Sequence, residues 1–518
     1  MKHPNVLVRT WRRGRLARVA VSALAVAIVA GTVATAAVAV WWRGADTSTI
    51  GTLSFANELH IPPLARSTVE ADGTRVFDLT ARATTASFKP GMYTDVLGYD
   101  GGYLGPTLRA ERGERVRVRV RNELDEVTTT HWHGMRLPAE ADGGPHAPIE
   151  PGETWAPSWT IDQPAATLWY HPHPHGRTEA QVHRGMAGMF IVDEPGAATG
   201  SLPDDYGVDD VPVIVQDRSF AADGSFRDGG RFLATSGTLG RELLVNGTWN
   251  PHHVVTTERV RLRVLNASTA RVYEFGFDDD RSFDVVATDG GLLDRPVPLD
   301  RIRLSPGERA EVVVAVRPGE RTVLRSTPPD LGVDPFTGRG NGGDDSFDVL
   351  ELRAAAELTP APPPATRLGT EPALDPADAV RTRRFSLDGD STINGRPMDP
   401  ARVDATVRAG SVELWEVDAG GQVHNFHVHD VQFQVVDVDG EPPPPELAGW
   451  KDTVYLGGAD RIRLLMWFGD QPDPDTPFMF HCHLLAHEDG GMMGQFVVTA
   501  DGRPGGPLST DAHEGHGT

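Results

Sequence analysis

The chain has 518 residues, of which 39% are hydrophobic and 23% are charged, so it can hold about three domains with buried cores. Apolar residues recur throughout, which excludes disorder for most of the length. Residues 1–43 carry seven basic residues and no acidic one, and the rest of the chain has a net charge of −30. Such a body repels nucleic acid and anionic lipid, so neither is expected as a partner. The single cysteine excludes an internal disulfide framework, whereas 19 histidines require an explanation.

The amino-terminal segment from Val19 to Trp42 contains no charged residue and follows several basic ones. Its 24 residues are enough to span a bilayer, and Trp41 and Trp42 suit an interfacial anchor. A cleaved signal is the alternative, because residues 37–39 resemble a small-residue cleavage site. A buried core helix fits poorly, since nothing polar marks a solvent-facing side. We therefore expect residues 1–50 to be a membrane anchor or signal segment, and the body to work outside the cytoplasm.

Past residue 50, short alternating runs are separated by Gly, Pro and Asp, which is typical of β-sandwiches. One strand pattern, residues 115–122, returns at residues 259–266 and more loosely at 411–417. This repeat predicts an all-β chain of three tandem Greek-key sandwiches. The expected domains are 51–197, 204–356 and 377–501, with a Pro-rich linker at 357–376 and a flexible tail at 502–518.

His-x-His pairs occur five times, which is more than random placement of 19 histidines produces. Residues two apart on a strand point to the same side, so each pair can present two imidazoles together. The offset of 296 residues that maps Val116 onto Val412 also maps His131 and His133 onto His427 and His429. A second set lies 310 residues apart and comprises His171, His173, His481 and His483.

Eight histidines, four from each outer domain, are therefore expected to meet across a pseudo-twofold interface. Without a metal, many of their buried ring nitrogens would lack a partner. The middle domain has Phe275 and Phe277 at the corresponding place, and we expect it to be a metal-free spacer.

The last motif indicates which metal is bound. In the sequence His481-Cys482-His483, alternation sends Cys482 to the side opposite the two histidines. Cys482, with His487 five residues later and Met492 ten later, has the composition of a blue-copper site, and His424 is the natural second histidine. Zinc is the rival metal, but structural zinc prefers closed Cys/His tetrahedra and does not use a thioether.

These motifs resemble those of the multicopper oxidases, and among them the bacterial three-domain laccases, copper-tolerance oxidases and bilirubin oxidases. The resemblance extends from about residue 52 to residue 500 and rests on four segments, which are 131–134, 169–176, 424–429 and 481–492. It implies cupredoxin-like sandwiches and four copper ions. The type 1 copper would be held by His424, Cys482, His487 and Met492. The type 2 copper would be held by His131 and His427, and the type 3 pair by His133, His171, His173, His429, His481 and His483. The resemblance also points to Asp142 and Glu488 as acids near the cluster.

The chain departs from the family pattern at two places. Asn425 and Asp430 stand where a proline and a glycine are usual, and we expect a local loop change with an intact site, Asp430 adding a charge near the type 1 region. The methionine-rich insertion of the copper-tolerance oxidases is missing, because no methionine lies between residues 190 and 397. Residues 330–335 and 338–345 instead predict a polar, mobile loop that leaves a broad entrance for organic reductants.

Three functions remain open. The first is oxidation of phenolic or aromatic reductants coupled to reduction of O2 to water, and the second is oxidation of cuprous or another metal ion. The third is a non-catalytic copper-holding scaffold, since some relatives keep the fold and lose the coppers. O2 and a small reductant are the expected partners, with the membrane contacted only through the amino-terminal segment. His252 and His253 are expected to face solvent, and the sequence does not indicate an oligomeric state.

Overall fold

The computed structural model describes residues 46–195, 202–227, 231, 234–369 and 373–504, together with scattered positions between residues 18 and 44. The chain divides into two compact units, Met1–Thr47 and Ser48–Thr518. Most of the predicted anchor or signal segment lies outside the described residues, as does the predicted tail from residue 505 onward. No helix among the described positions is long and apolar enough to cross a bilayer.

The second unit is nearly all β and contains three sandwiches of two sheets each, so the predicted fold class is confirmed. The strands of the first sandwich are β2 Ser67–Val69, β3 Arg75–Ala86, β4 Thr94–Tyr99, β5 Leu108–Glu111, β6 Arg115–Asn122, β7 His131–His133, β8 Thr154–Trp155, β9 Ser158–Thr160, β10 Ala166–His171 and β11 Gly188–Asp193. Those of the second are β1 Asn57–Glu58, β12 Asp210–Arg218, β13 Glu242–Val245, β14 Thr248–Trp249, β15 Pro251–Thr257, β16 Arg259–Asn266, β17 Tyr273–Phe277, β18 Phe283–Thr288, β19 Gly291–Leu299, β20 Arg301–Leu304, β21 Arg309–Ala315, β22 Arg321–Thr327 and β23 Phe347–Thr359. Those of the third are β24 Ala379–Asp388, β25 Thr392–Ile393, β26 Ala405–Arg408, β27 Val412–Asp418, β28 Asn425–Val428, β29 Phe433–Val438, β30 Trp450–Lys451, β31 Thr453–Tyr455, β32 Ile462–Trp467, β33 Asp473–His481 and β34 Met493–Thr499.

In the described part of the second unit, helices are few and short. The α-helices are α1 Thr178–His183, α2 Pro335–Gly340 and α3 Leu485–Asp489, and the 3-10 helices are Ala139–Ala141, Pro376–Asp378 and Pro445–Leu447. Strand β1 precedes the first sandwich in the sequence but pairs in parallel with β15 of the second. The domain boundaries given above remain predictions.

The sheet orders place the histidine motifs of each outer sandwich on neighbouring strands of one sheet. The first sandwich has the orders β5-β11-β10-β7 and β2-β3-β6-β8, with β4 on β3 and β9 on β6. The second has β1-β15-β23-β22-β17-β20 and β14-β13-β12-β16-β21-β18-β19. The third has β25-β24-β27-β32-β29-β30 and β26-β34-β33-β28-β31. Strands β7 and β10 are therefore neighbours, as are β28 and β33.

The repeated strand pattern occupies equivalent positions in all three sandwiches. Strands β6, β16 and β27 each have a parallel neighbour on one side and antiparallel partners on the other. The asparagine that closes the first two copies also has one role. The amide nitrogen of Asn122 donates to the carbonyls of residues 126 and 149, and that of Asn266 donates to the carbonyls of residues 271 and 304. The predicted repeat is thus confirmed at the level of hydrogen bonds.

Buried apolar side chains explain why the outer sandwiches meet. One core cluster combines residues of the first and third sandwiches, with Trp132 and Trp415 among them, whereas the second sandwich has a core of its own that includes Phe275 and Phe277. Since burial of apolar area drives association, the first and third sandwiches share an interface, and the histidine motifs lie beside it.

Candidate metal centre

The predicted type 1 ligands come together at the end of β33. Cys482 follows this strand, His424 precedes β28, and His487 lies in α3. The Sγ atom of Cys482 is 3.5 Å from Nδ1 of His424 and 3.6 Å from Nδ1 of His487. All three residues are buried, and their donor atoms lie within 4.8 Å of one another. Burial raises the pKa of the Cys482 thiol to about 12, and a bound metal ion would reverse that effect by favouring the thiolate.

Met492 is fully buried beside these residues. Its backbone N–H donates to the carbonyl of His487 at 2.9 Å, and its carbonyl accepts from the N–H of Cys482 at 3.2 Å. The backbone therefore holds the thioether residue next to the thiol and one imidazole, as the spacing predicts.

Asn425 and Asp430, which depart from the family pattern, leave the donor set intact. The Oδ1 atom of Asn425 accepts from the backbone N–H of His483 at 2.7 Å and lies 3.6 Å from the Cys482 sulfur. Asp430 adopts a positive φ of 64°, and its Oδ1 accepts from the N–H of Leu137 at 3.2 Å. Burial raises the pKa of Asp430 to about 7. Its hydrogen bond is thus with the first sandwich, and the expected effect of its charge on the type 1 region stays a prediction.

Eight buried imidazoles form a second cluster between the first and third sandwiches. The strand registers pair His131 with His171 and His427 with His481. Across the interface, the ring of His131 stacks on that of His429 with centroids 3.8 Å apart. The structure therefore brings the eight histidines together in the pseudo-twofold arrangement that the two offsets predict.

The remaining contacts of the cluster follow the same symmetry. The ring of His133 stacks on that of His427 with centroids 3.7 Å apart. His483 completes the set, with its ring centroid 4.9 Å from that of His133 and 5.3 Å from that of His171.

The outward-facing ring nitrogens are anchored by hydrogen bonds. Nδ1 of His131, His171, His427 and His481 lies 2.8–3.1 Å from a backbone carbonyl oxygen. These bonds fix the tautomer, because the nitrogen that donates carries the hydrogen. Among the described residues, no hydrogen-bond partner meets the Nε2 atoms of His131, His171, His427 and His483 or the Nδ1 atom of His133.

The donor set fits copper. Burial lowers the pKa of seven histidines in the cluster, namely His133, His171, His173, His427, His429, His481 and His483, so these rings are neutral at physiological pH. Nε2 of His481 lies 3.2 Å from Nε2 of both His173 and His429. Lone pairs that lack a partner and converge in a dry cluster are typical of metal ligands. Four of these rings, those of His131, His171, His427 and His481, are also held by an outer hydrogen bond, as metal-binding histidines usually are.

Asp142 and Glu488 each join a histidine of the first sandwich to one of the third. The carboxylate of Asp142 lies 2.8 Å from Nδ1 of His429 and 3.4 Å from Nδ1 of His131. That of Glu488 lies 3.4 Å from Nδ1 of His173 and 3.3 Å from Nδ1 of His481. Both acids are buried, and burial raises the pKa of Glu488 well above its usual range.

Sequence reasoning missed Asp452 and Thr453. The Oδ1 atom of Asp452 and the hydroxyl of Thr453 lie 2.9 and 3.0 Å from Nε2 of His133, and the backbone carbonyl of Asp452 accepts from Nδ1 of His427 at 2.8 Å. Nothing in their spacing relates them to a histidine motif. The contact with His427 arises from the pairing of β28 with β31, and the contacts with His133 cross from the third sandwich to the first.

The surroundings of His487 differ from the open entrance expected. His487 is 3% exposed, and its Nε2 donates to the carbonyl of Thr235 at 2.7 Å. The side chain of Asn341 accepts from the backbone N–H groups of Thr235 and Ser236, and residues 335–340 form helix α2. The segment expected to be a mobile loop thus packs against the residues that cover His487.

Of the two histidines in the second sandwich that were expected to face solvent, one is buried. His253 is buried, with Nε2 3.1 Å from the carbonyl of Val208, and His252 is half-buried against the carbonyl of Phe55. The expectation that both face solvent was therefore wrong for His253, because β15 lies between β1 and β23 within a sheet.

Comparisons with known proteins agree with this geometry. Three family models described as multicopper oxidase match residues 80–197, 221–321 and 370–502, which together make up more than half of the chain. The multicopper oxidase mco of Staphylococcus epidermidis is 34% identical, over 86% of this chain and 93% of that protein. The cell division protein FtsP of Escherichia coli is 36% identical, over 85% of this chain and 92% of that protein.

A solved structure is similarly close. The laccase-like multicopper oxidase CueO from the lignin-degrading bacterium Ochrobactrum sp. has a TM-score of 0.77 and 36% identity, and the match covers 85% of this chain and 100% of that one. On the family models, the identities and this likeness, the chain belongs to the multicopper oxidase family.

Proposed function

We propose that this chain is a copper-loaded oxidase that couples one-electron oxidation of a small reductant to reduction of O2 to water. The observation that carries the proposal is the complete, buried donor set. One thiol, one thioether and ten imidazoles are present, and the thiol and ten imidazoles form two adjacent clusters. Soft thiolate and thioether ligands with imidazoles select copper over zinc.

The residues would divide between the coppers as the family resemblance implies. His424, Cys482, His487 and Met492 would hold the type 1 ion, and His131 and His427 the type 2 ion. The other six cluster histidines would hold the type 3 pair, which gives four copper ions in all. When bound, these ions would supply reversible one-electron transfer and the four electrons that O2 needs to form two waters.

The chain itself links the two clusters. Cys482 is bonded through its peptide groups to His481 and His483, so the path between the thiol and the histidine cluster is short and covalent. Hydrogen bonds from His171, His427 and His481 to backbone carbonyls hold the rings in place. Burial of both clusters excludes bulk water from them.

We assign the proton supply to Asp142 and Glu488. Each carboxylate contacts the Nδ1 atoms of two cluster histidines, which is within or close to the distance over which a proton donor acts. Reduction of O2 to water consumes protons, so acids at these positions would serve that need. Their symmetrical placement, one from each outer sandwich, supports a shared role.

Aromatic reductants are the substrate class that we favour. The Ochrobactrum relative is described as having oxidase activity towards lignin model compounds and lignosulfonate. This chain lacks methionines between residues 190 and 397, so that segment offers no thioether for cuprous ion. A body with a net charge of −30 would favour neutral or cationic donors, more strongly at low salt.

Oxidation of a metal ion is the second candidate. The burial of His487 beneath Thr235, which Asn341 holds in place, favours it. The Nε2–H group of His487 donates to the Thr235 carbonyl. This N–H group is therefore not available to bind a phenol directly. A small ion needs less room than an aromatic ring. A non-catalytic role, which the FtsP relative's name allows for the family, is less consistent with a full set of copper donors.

The test is oxygen uptake by the purified, copper-loaded protein with phenols, aromatic amines or cuprous ion as the reductant. We expect phenols and amines to be oxidised without added copper and cuprous ion to be oxidised slowly. Faster turnover of cuprous ion, with phenol oxidation only in excess copper, would reverse the order of the two candidates. A protein that binds copper but consumes no oxygen would support the scaffold role.

We place this activity outside the cytoplasm. The uncharged segment from Val19 to Trp42 follows basic residues, as in exported and membrane-anchored proteins. Fractionation of cells and amino-terminal sequencing of the product distinguish an anchor from a cleaved signal.

A further inference from the structure

The second sandwich was expected to be a metal-free spacer, but one of its turns packs against the histidine cluster. This turn, residues 305–308, joins β20 to β21, which begins at Arg309. A Cβ atom on Gly307 would lie 3.1 Å from Cε1 of His133 and 3.2 Å from Cγ of His483. The backbone of the turn therefore packs directly on two predicted ligands, one from each outer sandwich.

The side chain of Arg309, directly after this turn, binds Asp452 with both ends of its guanidinium group. Nη1 donates to Oδ1 at 2.7 Å, and Nη2 donates to Oδ2 at 2.6 Å. The side chains of Arg309 and Asp452 are 1% and 0% exposed. Water therefore screens this bidentate ion pair very little. Nε of Arg309 also donates to the carbonyl of Thr167, in β10 of the first sandwich.

Asp452, which Arg309 holds in place, contacts two histidines of the cluster. Its Oδ1 lies 2.9 Å from Nε2 of His133, and its carbonyl oxygen lies 2.8 Å from Nδ1 of His427. A ring that donates its Nε2–H to a carboxylate carries its lone pair on Nδ1. The Nδ1 atom of His133 is one of the cluster nitrogens without a partner among the described residues.

Further charges hold the pair rigid. Nζ of Lys451 lies 3.0 Å from both Asp289 and Glu308, and Asp289 accepts from the backbone N–H of Arg309 at 2.7 Å. A buried network in which every charge is paired fixes the positions of its members.

We propose that Arg309 is a positioning residue for the trinuclear copper site, acting through Asp452 on His133 and His427. The second sandwich is then part of the copper site and more than a spacer. This inference rests on the proposed function, because it concerns how the chain prepares its ligands for copper. Outer hydrogen bonds to histidine ligands are typically worth about 10- to 100-fold in metal affinity or activity.

The test compares Arg309→Lys with the matched control Arg263→Lys. Lysine keeps the charge but cannot bind both carboxylate oxygens as a fork. Arg263 makes an equally buried fork with Asp210, at 2.6 and 2.9 Å, in the same sandwich. Its hydrogen bonds go to Thr167, Asp210 and Glu311, none of which is a predicted ligand.

The measurements are copper content per chain, copper affinity by chelator competition, the type 2 EPR signal and the blue absorption. For Arg309→Lys, we expect about a 10- to 100-fold loss of copper affinity at the histidine cluster and a weakened type 2 signal. The blue absorption should persist, and Arg263→Lys should match the parent in all four measurements.

Two results would overturn the inference. One is parental copper affinity and type 2 signal in Arg309→Lys, and the other is an equal loss in Arg263→Lys, which would indicate general destabilisation. If Arg309→Lys does not fold, Asp452→Asn, which keeps the shape and removes the charge, decides by the same measurements. A parent protein that binds no copper would refute the proposed function instead.

Discussion

Gly307 offers a direct test of how tightly the second sandwich packs on the histidine cluster. The substitution Gly307→Ala adds one methyl group at a φ of 86°, a left-handed conformation that disfavours alanine by about 1–2 kcal/mol. The added Cβ would also lie 3.1 Å from His133 and 3.2 Å from His483. Overpacking of this kind costs about 1–3 kcal/mol. We therefore expect a total destabilisation of about 2–5 kcal/mol.

Gly319→Ala separates the two contributions. Gly319 lies in the same sandwich with a φ of 70°, and a Cβ there would meet nothing within 4 Å. This variant should lose only the backbone part, about 1–2 kcal/mol. The difference between the two variants, about 1–3 kcal/mol, then measures the crowding against the two histidines.

The assay is denaturant unfolding of both variants and the parent, followed by copper affinity at the histidine cluster. Because the rings of His133 and His483 must shift to admit the methyl group, Gly307→Ala should also bind copper more weakly, whereas Gly319→Ala should not. Equal stabilities and equal copper affinities for the two variants would refute the packing described for residues 305–308.

Three further predictions follow. Cys482→Ser should abolish the blue absorption and turnover while the circular dichroism spectrum stays that of the parent, since serine cannot supply a soft thiolate; a blue, active variant would contradict the type 1 assignment. Asp142→Ala and Glu488→Gln should slow oxygen reduction in stopped-flow measurements and leave reduction of the blue copper unchanged, and parental oxygen reduction would exclude the acid role. Burial raises the pKa of Glu311, but its two arginine partners outweigh burial and hold that pKa at about 2, below the ordinary 4.5. The stabilisation, about 3 kcal/mol, should be present above pH 4.5 and lost as the pH falls towards 2; Glu311→Gln should not show this loss, and parallel unfolding-against-pH curves for parent and variant would refute it.

The sequence alone was enough to predict the repeat and the types of the ligand residues, because both depend on local periodicity. Alternation along a strand determines which side chains share a face, and the offset between Val116 and Val412 carries one histidine motif onto another. Strands β6, β16 and β27 occupy equivalent places for that reason. The cysteine between two histidines, with His487 and Met492 following at short range, already contained most of the proposed type 1 donor set.

Contacts between distant segments could not be predicted in this way. Asp452 reaches His133 across 319 residues, and Arg309 reaches Asp452 across 143, so no local pattern links them. The cover over His487 likewise depends on hydrogen bonds between residues 235 and 341 and between residues 235 and 487. Charge and polarity made residues 330–345 look like an open loop, whereas capping by Asp334 and the bonds of Asn341 order them.

The part played by the second sandwich shows the same division. Its sequence lacks the histidine motifs, and from that pattern a passive spacer was the reasonable expectation. Its role at the cluster comes instead from one turn, in which a glycine without a side chain admits close packing, and from the arginine directly after it, whose fork spans two sandwiches. Residue types and their spacing determined which metal ligands the chain can provide. Only tertiary packing decided which residues orient those ligands, because orientation depends on groups that are close in space and distant in sequence.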